Sequence, residues 1–156
     1  MGSTDRAPQT FLPLDYAWMM KAAGRGSDLV AVKRDQADVW FSKAVRLRDG
    51  CCVSCGKTEL LQAMHVVGRR NKAVRWSMDN AAAGCAACHR YFTENPLAFS
   101  DFLESLWGEG HLQLLREKAR EILKTTKELR KEISAHYRAE VRKKEADPEY
   151  EIISYN

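Results

Sequence analysis

Apolar residues recur at helical spacing from Asp35 onward: Val39, Trp40, Ala44, Val45 and Leu47 make one face, while Arg46 and Arg48 fall on other sides. Asp35 is placed to cap this run, Asp38 favours its first turn and Gly50 ends it, so a helix is predicted between them. The pattern then changes. Leu60 to Val67 reads as a strand, followed by a basic loop, Arg69-Arg70-Asn71-Lys72. A second extended piece, Ala73 to Met78, closes on Asp79-Asn80. Cys85 to Tyr91 opens a short helix. Asn95-Pro96 starts another, with Asn95 as cap and Pro96 at the first position. Phe99, Phe102, Leu103, Leu106 and Trp107 supply its core face, and Gly108 and Gly110 stop it. From His111 the apolar positions Leu112, Leu115, Ala119, Ile122, Leu129, Ile133 and Tyr137 continue, with Thr126 in register, at three-four spacing. A capping box at Thr125-x-x-Glu128 divides this tail into two helices.

The expected class is therefore α+β, mainly helical, in three parts: an arm at 1–34, a central domain at 35–110 and basic C-terminal helices at 111–156. The arm is expected to be loosely ordered, because Pro8, Pro13, Gly24, Gly26 and Ser27 break any long element. Its apolar residues, among them Phe11, Trp18 and Met19, suit packing on the body or on a partner. No apolar run approaches the roughly 20 residues that span a bilayer, so no membrane contact is expected. No basic start precedes an apolar stretch, so no signal peptide is expected.

The net charge of +4 is a weak pointer to nucleic acid. Its distribution says more: residues 111–144 hold eleven Lys/Arg against five Asp/Glu, whereas the segment from Glu145 to Asn156 is acidic and aromatic. Charge pattern alone does not separate a solvated helix face from one that contacts DNA.

The cysteines carry the strongest signal. Cys52-x2-Cys55 and Cys85-x2-Cys88 are two tight turns separated by 29 residues, each presenting two sulfurs. This is the spacing of a tetrahedral thiolate zinc site, and it points to a reducing, intracellular compartment. Cys51 is the expected bystander. Between and beside the pairs lie His65, Asn80 and His89. A histidine taken singly is more often structural than catalytic. If the strand pair folds back over the helix, the three converge: His65 as general base, Asn80 fixing the loop that carries it, His89 holding a divalent cation against the scissile phosphate. Arg69, Arg70, Lys72 and Arg75 follow the base and are placed to grip flanking phosphates, although a solvated loop explains any one of them equally well.

Segment 52–95 resembles the HNH nucleases, the ββα-metal class. The stretch WFSKAVRLRD ending at Asp49, then CVSCG, AMHVVGRR, CAACHRYFTEN, WGEG and AHY in that order resembles more specifically the phage NinG/Rap recombination proteins, over about Asp38 to Tyr137. The resemblance implies a zinc-stapled ββα-metal finger flanked by helices, with a structural Zn²⁺ and a catalytic Mg²⁺ or Mn²⁺. It implies cleavage of branched DNA such as Holliday junctions or D-loops, and expression from a phage or prophage in the cytoplasm of a bacterial host. Two positions depart from the pattern. Met64 stands where HNH enzymes place an Asp or His metal ligand. His89 stands where NinG-like proteins favour asparagine, whereas Asn95 matches their second asparagine. The competing readings are a non-catalytic zinc DNA-binding or scaffold module of a recombination or packaging complex, favoured by Met64, and a homing or packaging HNH nuclease without branch preference. Branch cutters often use two active sites, so a homodimer through the late helices is expected.

Overall fold

The computed structural model describes residues 33–155; the predicted arm at 1–34 lies almost wholly outside them. Helix α1 spans Gln36–Asp49. Asp35 accepts a hydrogen bond from Asp38 N at 3.1 Å and Asp38 accepts one from Asp35 N at 3.0 Å, a reciprocal capping box. Gly50 ends the helix in the left-handed region at φ 68°, which favours glycine. The buried stripe is Ala37, Phe41, Ala44 and Val45, at i, i+4, i+7 and i+8. Val39, expected on that face, is exposed.

Strand β1, Gln62–His65, pairs antiparallel with β2, Ala81–Gly84, in the register Gln62↔Gly84 to His65↔Ala81. This corrects the sequence expectation of a second strand at Ala73 to Met78, which is a chain of turns running into a single 3-10 turn, Met78–Asn80. The strand is Ala-Ala-Ala-Gly, small residues with weak strand propensity, and all four are buried. Smallness is what the position requires. At Gly84 a Cβ would lie 2.2 Å from Met64 Sδ, so only glycine lets the thioether cross. Arg48 and Asp49 at the end of α1 clamp this strand: the guanidinium donates to the carbonyls of Met78 and Ala81, both at 2.8 Å, and Asp49 Oδ2 accepts from Ala83 N at 2.7 Å.

Helix α2, Ala86–Glu94, follows β2, and α3, Pro96–Trp107, follows at once. Asn95 sits at the predicted boundary with Pro96 at the start of α3, but its side chain donates back to Tyr91 O at 2.9 Å and makes no cap bond to α3. Helices α4, His111–Ala119, and α5, Lys127–Ala146, are the two expected in the tail. The cap of α5 is Thr126, which accepts from Leu129 N at 3.1 Å, and not Thr125. Ile122 lies between the helices, 93% exposed, and so leaves the apolar stripe.

Two cores result. One joins α1 and α5 around Phe41, Trp76, Ile133, Tyr137 and Val141, so the C-terminal helix shares a core with α1 and the segment around Trp76. The other gathers Cys52, Met64, Ala82, Cys85, Cys88, Phe92, Phe99 and Leu103 under the strand pair. The acidic end of the chain folds back along α5. Buried Glu140 accepts from Tyr150 Oη at 2.9 Å and Ile153 N at 2.8 Å, and Tyr155 N donates to Tyr137 Oη at 3.1 Å.

Candidate metal centre and histidine site

The Cys52–Cys55 turn is built by local backbone bonds. Cys52 N donates to Lys57 O at 2.7 Å, Gly56 N donates to Cys52 O at 2.8 Å, and Gly56 takes φ 75°. Val53 N donates to Ala83 O at 3.0 Å, tying the turn to β2, and β2 leads straight into Cys85. The sulfurs of Cys52, Cys55, Cys85 and Cys88 consequently all lie within 4.8 Å of one another, and Cys55 Sγ and Cys85 Sγ are 3.7 Å apart. Four sulfurs bound to zinc at about 2.3 Å in a tetrahedron would be about 3.8 Å apart, so the cluster fits such an ion. Cys51 is outside the cluster, as expected. A hydrogen bond from Cys88 pulls Cys52 down to about 4, and the same bond with burial pushes Cys88 well up. Burial raises Cys55 as well. A bound metal would displace the thiol protons.

His65 ends β1, half-buried, its ring 5.5 Å from that of Phe41. Its Nε2 lies 3.1 Å from the carbonyl of Arg75. A carbonyl only accepts, so Nε2 carries the proton and Nδ1 keeps its lone pair. Burial, together with the charge of Arg69, lowers its pKa to about 4 against the bond to Arg75, so the ring is neutral at pH 7. His89, on the first turn of α2 after Cys88, is oriented by Gln62: Nδ1 lies 2.7 Å from Gln62 Oε1. With Nδ1 donating, Nε2 is left as a ligand nitrogen. Burial lowers the pKa of His89 too, again with a contribution from Arg69. The charge of Arg69 thus lowers both histidines.

Asn80 is fully buried and pins the intervening loop from both sides. Its Oδ1 accepts from Val67 N at 2.7 Å, and its Nδ2 donates to Val67 O at 2.9 Å and Val74 O at 3.0 Å. The loop that it holds begins just after His65 and includes Arg69 and Arg70. Arg70 and Lys72 are exposed and Arg69 is partly so. Arg75, expected to grip phosphate, is instead buried. It donates to Asp38 Oδ1 at 2.8 Å and Oδ2 at 2.5 Å and to Lys33 O at 3.2 Å, and its guanidinium lies 4.9 Å from the Trp76 ring centre. Charge consumed in this way is not offered to a phosphate. Met64, at the expected second ligand position, is 1% exposed and faces the lower core with Ala82 and Phe92. Among the described residues, the four cysteines are the sole group of three or more His, Cys, Asp or Glu placed to hold an ion.

Sequence reasoning missed Gln62 and the Asp38–Arg75 pair. The signal for the first was the strand period, since Gln62 is a polar residue on a strand that faces the helix bearing His89. No local signal marks the second, whose partners are 37 residues apart.

The family model described as the bacteriophage lambda NinG protein matches residues 31–147, three quarters of the chain. The chain belongs to this family. Neither the curated proteins nor the solved structures contain a match. The match runs from just before α1 to just after α5, so the cysteine cluster, the histidines and the buried residues of both cores lie within the matched span. No described helix of this family member is long and apolar enough to cross a membrane.

Proposed function

We propose that the chain is a metal-dependent DNA endonuclease whose four cysteines hold a structural Zn²⁺ beneath a site made by His65, Asn80 and His89. One observation carries this reading. Each histidine has one ring nitrogen committed to an acceptor and the other without a hydrogen-bond partner among the described residues. A scaffold would need only the cysteines.

In this reading His65 Nδ1 takes a proton from a water, whose oxygen attacks the scissile phosphorus. The bond from phosphorus to the 3′ oxygen breaks, and that oxygen is protonated by solvent, leaving a 5′-phosphate and a 3′-hydroxyl. The carbonyl of Arg75 steadies the imidazolium that forms on His65, because Nε2–H already points at it. Asn80 keeps the loop carrying Arg69 and Arg70 from sagging away from the backbone they neutralise. His89 Nε2 is the protein donor available to Mg²⁺ or Mn²⁺, with waters and phosphate oxygens completing the shell. Such a cation supplies Lewis-acid polarisation of the phosphoryl oxygen and charge neutralisation at the leaving oxygen. That the DNA is branched rests on the resemblance to phage recombination proteins. A phage- or prophage-encoded protein working in the bacterial cytoplasm follows from the same source.

Met64 favours a second reading, a zinc-containing DNA-binding scaffold, because its burial leaves His89 as the sole protein ligand. The experiment that decides is incubation of zinc-loaded protein with a four-way junction and a matched duplex in Mg²⁺, Mn²⁺ or EDTA. Cleavage by wild type, with a loss of about 10²–10⁴-fold in His65→Ala at unchanged zinc content and DNA affinity, is the expected outcome. Binding without cleavage in every metal, or undiminished cleavage by His65→Ala, would install the scaffold reading.

A further inference from the structure

A groove of about 790 Å³ runs between the start of α1 and the length of α5, across α1 from the histidine site. Phe41 faces His65, whereas Trp40, the next residue back, lies in the groove. Successive helical residues point about 100° apart, so Trp40 and Phe41 face different surfaces of α1. The floor is Ala37, Trp40, Ala135 and Ala139, and the wall is Lys127, Arg130, Lys131, Arg138 and Arg142. All five cations are exposed. Arg130 has Asp35 at 3.8 Å; among the described residues the other four have no carboxylate within ion-pair distance.

The groove's cations outnumber its carboxylates: Asp35 of the α1 cap lines it, while Glu145 of α5 pairs with Lys43 at 2.7 Å. Glu132 lies toward Tyr155 at 3.3 Å, and Glu140 is buried beneath the returning tail. Neither these nor Glu128 lines the groove. Lys127 to Arg142 spans sixteen residues, about 22 Å from first to last, which matches about six phosphates of one strand at roughly 3.4 Å each. The occupant is a backbone and not unstacked bases, because cations already cover Trp40: Lys43 Nζ at 5.6 Å and the Arg138 guanidinium at 5.7 Å from its ring centre.

We propose that this groove binds the phosphate backbone of a second duplex segment, the arm of a branched DNA that is not at the histidines. The assignment of the second arm rests on the nuclease reading given above. The binding surface itself does not, since it is carried by the groove. Two separated backbone sites on one small chain give a physical basis for preferring a branch, where two arms leave one point, over a linear duplex.

The test compares full-length zinc-loaded wild type with the triple variant Lys131→Gln, Arg138→Gln, Arg142→Gln. Binding to a four-way junction and to a duplex of the same arm sequence is measured by fluorescence anisotropy between 50 and 200 mM salt, values chosen to expose counterion release. The log–log salt slope for the junction should fall by about 2.7, at about 0.9 for each phosphate no longer neutralised. Junction affinity should fall at least about tenfold, while duplex affinity changes little. A matching Lys131→Arg, Arg138→Lys, Arg142→Lys variant should restore slope and affinity, which a folding defect would not. If slope and junction affinity are unchanged, the groove does not bind DNA and an acidic protein surface becomes its occupant. If junction and duplex weaken equally, the second-arm assignment is overturned. Cleavage is read separately at saturating protein: a wild type that never cuts but shows the junction-specific slope change refutes the nuclease and leaves the groove standing.

Discussion

Removing the carboxylate of Asp38 should destabilise the protein far more than removing any surface charge. Asp38 and Arg75 are 4% and 9% exposed, and the pair is bidentate. Asp38 also accepts from Trp76 Nε1 at 3.1 Å and closes the capping box of α1. Burial alone would raise its pKa, but the hydrogen bonds from Arg75 and the Asp35 N–H, together with the charges of Arg75 and Arg69, hold it below the ordinary value. Asp38→Ala leaves a buried guanidinium with no counter-charge, which costs about 3–5 kcal/mol. Loss of half the capping box adds about 1 kcal/mol. Against a domain stability of roughly 5–15 kcal/mol this approaches the threshold for folding. At roughly 2–4 °C per kcal/mol for a chain of this size, the midpoint falls by about 8–24 °C.

The assay is urea unfolding of zinc-loaded protein at pH 7, with Asp38→Ala, Arg75→Met and the double variant. The double should be more stable than Asp38→Ala, because an apolar pair leaves no orphan charge. Arg75→Met should also leave the salt slope of DNA binding unchanged, since its charge never reaches the phosphates, whereas Arg69→Gln with Arg70→Gln should reduce it. A loss under about 1 kcal/mol in Asp38→Ala, the range of solvated pairs, would refute this account, as would strict additivity in the double variant.

Metal analysis should find one zinc per chain, unchanged in Cys51→Ser, with Cys85→Ser failing to fold because metal binding is folding energy here. Gln62→Ala should weaken the divalent-metal dependence of cleavage by about 10–100-fold at unchanged zinc content, by releasing the ring of His89; an unchanged metal titration would remove Gln62 from the site. The acid limb of the single-turnover cleavage rate should fall near pH 4 and not near 6.5, since burial keeps His65 neutral; the same depressed value means that stability contributed by the neutral ring is present above about 6.5 and is lost as pH falls toward about 4, so a rate that halves at 6.5 would show the ring to be solvated. Met64→Asp should destabilise the zinc-loaded protein by several kcal/mol and not create a metal ligand, because it buries a carboxylate against Ala82 and Phe92; a stable variant with tighter Mg²⁺ dependence would place position 64 in the site.

What the sequence made legible was what short-range chemistry controls. Asp35 and Gly50 bound α1, Gly108 ends α3, and the two CxxC turns form one cluster, because a cap, a left-handed glycine and a thiolate turn each need only a few neighbouring residues. The second strand was illegible for the opposite reason. Ala73 to Met78 has bulky, strand-like residues, yet Trp76 and Val74 are buried from turns, while Ala81–Gly84 is a strand only because α1 and Met64 press on it from two sides. Arg75 illustrates the same limit at the site. Its neighbours Arg70 and Lys72 are exposed and Arg69 partly so, and nothing within the loop distinguishes it from them; the distinction comes from Asp38, on a helix 37 residues earlier.

The cysteine cluster and the histidine site form one mechanical unit. Cys88 and His89 are consecutive on α2, so a sulfur fixed by an ion fixes the backbone that carries the imidazole. Gln62, which orients that imidazole, pairs with Gly84, the residue before Cys85. His65 pairs with Ala81, at the other end of the same short ladder, directly after Asn80. A two-stranded ladder of four residues is marginal by itself, and its register is what sets the spacing of the two rings. An ion on the sulfurs would anchor one end of that ladder, as Asn80 with Arg48 anchors the other. Such an ion would act on the histidines although the cysteines lie in a different core from Phe41. Loss of such an ion would free Gly84 and Cys85 and with them Gln62, so the tether of His89 would go before the helix pair α1 and α5 has to open.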